Sequence, residues 1–307
     1  MEIAVKLQAI WIVVALLGGP AVAVADNLDD AYQNLQNAVA KKDAAQVKKL
    51  SAELAPLIRE VLSAPAPVSD EERAGWAGRV EYVKSVETYV EYALYATAVG
   101  SPAAAMVDLL STLEQQNPKS KYLEGAYGPY FAALAQTGGQ NKILPIAERA
   151  IVSFPNNVDL LAILADNSLA KGQNDRASAF AAQELAAFGR PKPELVSDAD
   201  WTHKKSVGTG RAYFIVGLVA ATKNDYENAN KNLRAALPMI QGNAAEMAPA
   251  LFYLGIANYQ LGKLYLSKGQ VLDSAKFSEQ CAAMPGPYAD QARHNAYVAR
   301  NDLQSMR

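Results

Sequence analysis

The sequence predicts an all-α chain of successive helix pairs, and three observations predict it. About one residue in five is alanine, a composition that suits closely packed helices. β-Branched and aromatic residues rarely run together, so no stretch stands out as a strand. Breaks containing Gly, Pro or Asn recur between segments of helical length. At 307 residues the chain is long enough to bury a sizeable core, as one large domain or two ordinary ones. Its 29 basic and 31 acidic residues are well mixed, with no basic stripe, which argues against a nucleic-acid partner.

The first 25 residues, "MEIAVKLQAIWIVVALLGGPAVAVA", differ from everything after them. Lys6 and the amino terminus precede an apolar run from Leu7 to Leu17. Gly18, Gly19 and Pro20 break that run, and Ala23-Val24-Ala25 supplies the small residues of a cleavage site. This is the pattern of a secretory signal peptide cut after Ala25. The competing reading is an uncleaved membrane anchor, since Leu7 to Ala25 has only Gln8 as a polar residue. No Cys follows the site, which argues against a lipid-anchored form. Cys281 is the sole cysteine, so no internal disulfide is available, and its place in "FSEQCAAM" reads as a buried, inert thiol.

Helices are then expected in order. A pair at 28–42 and 44–63 turns at Lys42-Asp43, and with the start of the next helix fills an N-terminal region to residue 85. A long helix at 71–99 carries Tyr82, Tyr89, Tyr92 and Tyr95 near one face. Further helices read at 102–116, 121–136, 141–153, 158–171 after a Pro-Asn-Asn break, and 174–188. The insertion "GRPKPELVSDADWTHKKS" follows, with Asp198 or Asp200 as candidate cap for a helix at 201–223. Helices at 226–238, 246–268, 272–284 and 287–303 complete the chain. The residues from 291 onward are read as a capping helix and tail.

Small residues recur along these pairs at fixed spacing. In "SFPNNVDLLAILADNSLAKGQNDRASAF", Leu161 and Leu164 precede the small Ala165, Gly172 marks the turn, and Ala177 and Leu185 follow. The unit before it, 124–157, ends with Ala150 and Pro155. "RAYFIVGLVAATKNDYENANKNLRAAL" places Tyr213, Val216 and Gly217 before an Asn224-Asp225-Tyr226 turn and Ala229, Leu233 and Ala236 after it. In "ALFYLGIANYQLGK", Leu251, Leu254, Gly255 and Gly262 fit. There Ala275, Ala282 and Pro287 fit only after eight extra residues near "LYLSKGQV", within an insertion at 263–271 that lengthens the first helix or the turn. Upstream, Tyr89, Tyr92, Ala93 and Gly100 fit, and Met106, Leu110, Leu113 and Pro118 fit with a one-residue slip. The pattern resembles the tetratricopeptide repeat (TPR) family, in units of 34 residues over about 86–290. The resemblance implies a right-handed α-solenoid of antiparallel helix pairs.

No catalytic constellation emerges. His203 and His294 are far apart and neither has a metal-ligand partner at helical spacing, so neither a metal nor a cofactor is expected. "GTGRAY" at 208–213 lacks the strand and the Lys-Ser/Thr of a phosphate loop and reads as a helix N-terminal turn. Glu184, Asp166 and Asp175 read as solvated carboxylates. Trp201, His203, Lys204 and Lys205 in the 190–206 insertion read either as packing around a helix start or as a basic-aromatic spot. The family's carboxylate clamp is missing, because Ala132, Asp166, Leu218 and Ile256 occupy its positions.

The resemblance therefore implies a non-catalytic scaffold. Its partner would be a protein or peptide on an apolar, aromatic groove formed by Phe214, Leu218, Phe252, Ile256 and Tyr259, with Tyr89, Tyr92 and Trp201 as further candidates. Part of that surface could instead be capped by the C-terminal helix. Resemblance to exported TPR proteins implies a periplasmic or extracellular place and a role in envelope assembly or secretion. Alternatives are a structural subunit of a larger complex, a small-molecule binder, or an enzyme using the 190–206 insertion.

Overall fold

The computed structural model describes residues 20–306, with side chains from residue 27 onward. Residues 1–19, where most of the expected signal peptide falls, lie outside the described residues. Among the described residues the chain forms fourteen α-helices and no strand, and packing is dominated by helices near one another in the chain. No helix among them is long and apolar enough to cross a membrane.

The chain divides into two compact units at Thr97 and Ala98. The first contains α1 (Pro20–Ala40), α2 (Ala44–Ser63) and most of α3 (Asp70–Val99). Leu28 and Leu35 of α1 and Val47, Leu54 and Ile58 of α2 are buried. Ser69 and Glu72 cap α3 reciprocally, the Glu72 N–H donating to Ser69 Oγ at 3.3 Å and Ser69 Oγ–H donating back at 2.9 Å. On α3 the rings of Tyr82 and Tyr89 meet Tyr32 edge-on at 6.5 and 5.3 Å, so the tyrosine stripe is partly a packing surface.

The second unit holds α4 (Ala103–Gln116), α5 (Lys121–Glu124), α6 (Tyr127–Gln136), α7 (Gln140–Ala150), α8 (Val158–Ala170) and α9 (Asn174–Phe188). It continues with α10 (Asp198–Thr222), α11 (Tyr226–Ala236), α12 (Ala244–Leu264), α13 (Lys268–Ala282) and α14 (Ala289–Ser305). The helix expected over 121–136 is two, with a break at Gly125-Ala126. Pro129 explains it: the ring has no N–H for the Gly125 carbonyl and would clash with it in a continuous helix. α10 begins earlier than expected, and its cap is neither aspartate. Ser197 Oγ accepts from the Asp200 N–H at 3.0 Å and donates to the Asp200 carboxylate at 2.6 Å.

One turn recurs five times. The N–H groups of Asp43, Gly139, Gln173, Asp225 and Ser267 donate to the carbonyls of Ala38, Leu134, Ser168, Ala220 and Gly262 at 2.7 to 3.0 Å. The residue before each donor is left-handed: Lys42 (φ 55°), Gly138 (79°), Gly172 (70°), Asn224 (60°) and Leu266 (51°). This is the Schellman ending, which satisfies carbonyls that a helix end leaves orphaned. The eight extra residues near "LYLSKGQV" therefore make no longer loop. They lengthen the helices, and the turn keeps the same form at 265–267.

Close approach between paired helices explains the small residues. A Cβ on Gly217 of α10 would stand 2.8 Å from the Leu233 backbone nitrogen of α11, nearer than packed atoms allow. Ala165, Ala177, Ala212, Ala229 and Ala236 are fully buried in the same way.

Candidate functional site

The first helices of successive pairs, α6, α8, α10 and α12, touch one another in turn, and α12 touches α14. Charged side chains bridge them. Lys204 of α10 lies 2.6 Å from Asp159 of α8. Arg211 of α10 reaches both Asp166 of α8, at 2.7 Å, and Glu246 of α12, at 2.9 Å. Its guanidinium also covers the Phe214 ring, 5.4 Å from the centroid. Both cations on this line are thus engaged by carboxylates of this chain.

Below the line, Glu184 of α9 is 2 % exposed, and its Oε2 has no hydrogen-bond partner. It is not the solvated carboxylate that its sequence context suggests. Burial raises its pKa, the nearby Asp166 and Asp159 raise it further, and Arg211 pulls the other way; the result is about 8. The "GTGRAY" stretch accounts for the burial. Gly208 sits inside α10 rather than in a helix N-terminal turn. A Cβ there would stand 2.8 Å from Glu184 Oε1 and 2.6 Å from the Phe188 ring, so glycine lets α10 close over both.

The expected groove residues separate into three groups. Phe214 and Phe252 are 3 % and 6 % exposed, so they are core and cannot line an open groove. Phe214 packs among Ala212, Leu233 and Leu254, and Phe252 meets the Tyr288 ring, tilted by 37°, at 4.9 Å. Helical periodicity put them on one face, but neighbouring helices and the approach to α14 cover that face. Leu218, Ile256 and Tyr259 do remain half-buried on their first helices. Tyr259 donates to Asp302 of α14 at 2.7 Å, so the C-terminal helix covers part of this surface. Tyr89 and Tyr92 belong to the first unit, where Tyr89 is half-buried, Tyr92 is exposed and their rings lie 6.1 Å apart.

Trp201 is a packing residue, 5.5 Å from the Phe188 ring and set against Val158 and Leu161. Lys204 is consumed by Asp159, while His203 and Lys205 are exposed. The insertion around them therefore closes a helix junction. Cys281 is buried, with its Sγ–H directed to the Ala248 carbonyl at 3.4 Å and its thiol pKa pushed up by burial.

Three clefts of the second unit could receive a ligand. One, about 230 Å³, lies beside the insertion and is lined by Asn157, Asp159, Arg190, Trp201 and Lys204. A second, about 270 Å³, has Ile256 and Tyr259 of α12 on one side and His294, Asn295 and Val298 of α14 on the other. A larger one, about 1020 Å³, opens between the second helices α4 and α7 over a floor that includes Tyr127 and Tyr130 of α6. Glu114 and Arg149 pair across it at 3.2 Å. The Tyr127 hydroxyl is buried without a hydrogen-bond partner, and burial plus the Glu114 charge raises its pKa. The sequence reading missed this cleft. The available signal was the pair of prolines, Pro129 and Pro145, in two short consecutive helices.

Among the described residues no group of three or more His, Cys, Asp or Glu side chains is arranged to hold a metal ion. No protein-family model matches the chain, and no curated protein is similar to it.

Proposed function

We propose that this chain is a non-catalytic scaffold that binds a protein or peptide along its first helices, on a right-handed TPR-like stack of antiparallel pairs. The observation that carries the reading is the Schellman turn repeated four times in the second unit, because like turns build like pairs, and stacked like pairs expose one continuous face. Leu218, Ile256 and Tyr259, with the 270 Å³ cleft under α14, form the apolar part of that face. The paired Arg211 and Lys204 form its polar flank. Apolar side chains of a partner suit this face better than an acidic tail, since no cation on the line stands unpaired. The N-terminal pattern supports export, with cleavage after Ala25 and a place in the cell envelope.

The test is in-situ crosslinking in envelope fractions, comparing wild type with a Leu218→Ser/Ile256→Ser variant. Loss of a stoichiometric crosslink, with helix content unchanged by circular dichroism, supports the reading. Identical crosslinks from both proteins would sink it. Phe214 and Phe252 are unsuitable probes, because serine there would unfold the core.

A further inference from the structure

The five recurring turns are alike in backbone and unlike in chemistry. In four of them the three residues ending at the left-handed one are mostly polar or small: Ala40-Lys41-Lys42, Gln136-Thr137-Gly138, Ala170-Lys171-Gly172 and Thr222-Lys223-Asn224. The fifth reads Leu264-Tyr265-Leu266, with these side chains 70 %, 56 % and 82 % exposed. Leu266 holds a φ of 51°, a conformation that glycine or asparagine adopts at lower cost than a bulky apolar residue. The fold gains nothing from leucine here, because Gly172 and Asn224 make the same turn.

This tip also projects. Ala257 of α12 packs with Ala220, Ala221 and Ala229, and methyl side chains mark a common level because they reach so little. From that level α10 ends at Thr222, whereas α12 runs on to Leu264. The difference is five to six residues, about one and a half helical turns or ~8–9 Å at ~1.5 Å per residue. The projecting turn is braced. Leu261 is buried, and Gly262 lies so close to Val271 that a Cβ there would stand 2.9 Å from the Val271 nitrogen. Tyr265 donates its hydroxyl to Glu227 of α11, which ties the ring back and leaves the two leucines the more exposed. Lys263 and Lys268 flank the tip, Lys263 lying 3.1 Å from Asp302.

We propose that the Leu264–Leu266 tip is a membrane contact that enters the interfacial layer of a lipid bilayer. A convex apolar projection needs no complementary cavity in a bilayer, whereas a protein partner would have to supply one. The order Lys, Leu, Tyr, Leu, then Lys suits the headgroup boundary. Leucines enter the acyl edge, and exposed Lys268 reaches the headgroups, while Tyr265 and Lys263 stay tied to Glu227 and Asp302 at the boundary. Three side chains give weak, reversible attachment. The inference does not depend on the groove reading.

The test places an environment-sensitive thiol dye on the full chain at Gly269→Cys, where an added Cβ would meet only Ser267 Oγ, at an ordinary 3.8 Å. A control dye sits at Lys171→Cys, on the polar α8–α9 turn. Buried Cys281 leaves the introduced thiol as the reactive one. Vesicles of phosphatidylcholine, alone and with an equal part of phosphatidylglycerol, should blue-shift the dye at 269 and not at 171. A Leu264→Ser/Leu266→Asn background should abolish the shift or require roughly tenfold more lipid. Leu266→Asn alone should leave Tm unchanged or higher, which excludes misfolding as the cause. Absence of a shift at 269, equal shifts at both positions, or a shift that survives the double substitution would overturn the proposal. A protein crosslink lost in the double variant without any lipid shift would overturn it too, and would assign the tip to a protein.

Discussion

Within the second unit, the stack from α8 to α13 and the stretch from α4 to α7 solve the same packing problem differently. In the stack, helices run up to 25 residues, and Gly217 lets paired backbones approach closely. In the earlier stretch, α6 and α7 have 10 and 11 residues and contain Pro129 and Pro145. There a cleft of about 1020 Å³ opens over Tyr127. Neither proline nor shortness alone sets the difference, since α11 also has 11 residues and α12 contains the buried Pro249; cavity volume appears where α4 and α7 leave the tyrosine floor uncovered. Close packing appears where small residues are spaced at helical intervals.

Substitutions can break or sharpen this contrast. The largest pH-independent effect should come from Gly217→Val. The added side chain must displace the Leu233 backbone, and the cost should be about 3 kcal/mol in urea unfolding. If the stack tolerates valine without loss, close approach is not what holds it.

Next comes Glu184→Gln, whose effect depends on pH. The folded pKa of about 8 lies above the ordinary value of 4.5, so the folded state keeps a proton that the unfolded chain releases. The stability contributed by this proton is therefore fully present below about 4.5 and is lost as pH rises towards about 8. The amide of the variant stays neutral in both states. The variant should gain on wild type steadily across that window, by up to about 1.4 kcal/mol per pH unit and about 4 kcal/mol in all by pH 8. A pH-independent difference between the two proteins would show that Glu184 ionises freely in the folded state.

The smallest effect is expected in the cleft. Tyr127→Phe removes a hydroxyl that has no partner, so thermal unfolding should place the change within about 0.5 kcal/mol of zero. A loss above about 1 kcal/mol would mean that the hydroxyl is held by a group or water inside the cleft.

Much of the fold was legible because its determinants are local. Gly172 and Asn224 announce left-handed turns, and Ala165, Ala177 and Ala229 announce close contacts, since each acts through its own backbone or single methyl. The break at Gly125 was legible in principle, because Pro129 stands four residues later. The site was much less legible. Leu218 and Phe214 share helical periodicity with the rest of α10, and nothing in that period says that Phe214 is covered while Leu218 is half open. Glu184 looked like a surface carboxylate because the glycine that buries it, Gly208, lies on the next helix.

By itself, the sequence determined the helical class, the approximate helix limits, and the turns at Lys42, Gly172 and Asn224, because propensity, proline geometry and left-handed φ are properties of short segments. Only the tertiary structure decided which apolar residues face outward, which carboxylates meet Lys204 and Arg211, and that α12 carries Leu264 and Leu266 beyond the end of α10. Those outcomes depend on the level at which one helix meets another. That level is set by side-chain contacts between helices tens of residues apart, which no single segment encodes.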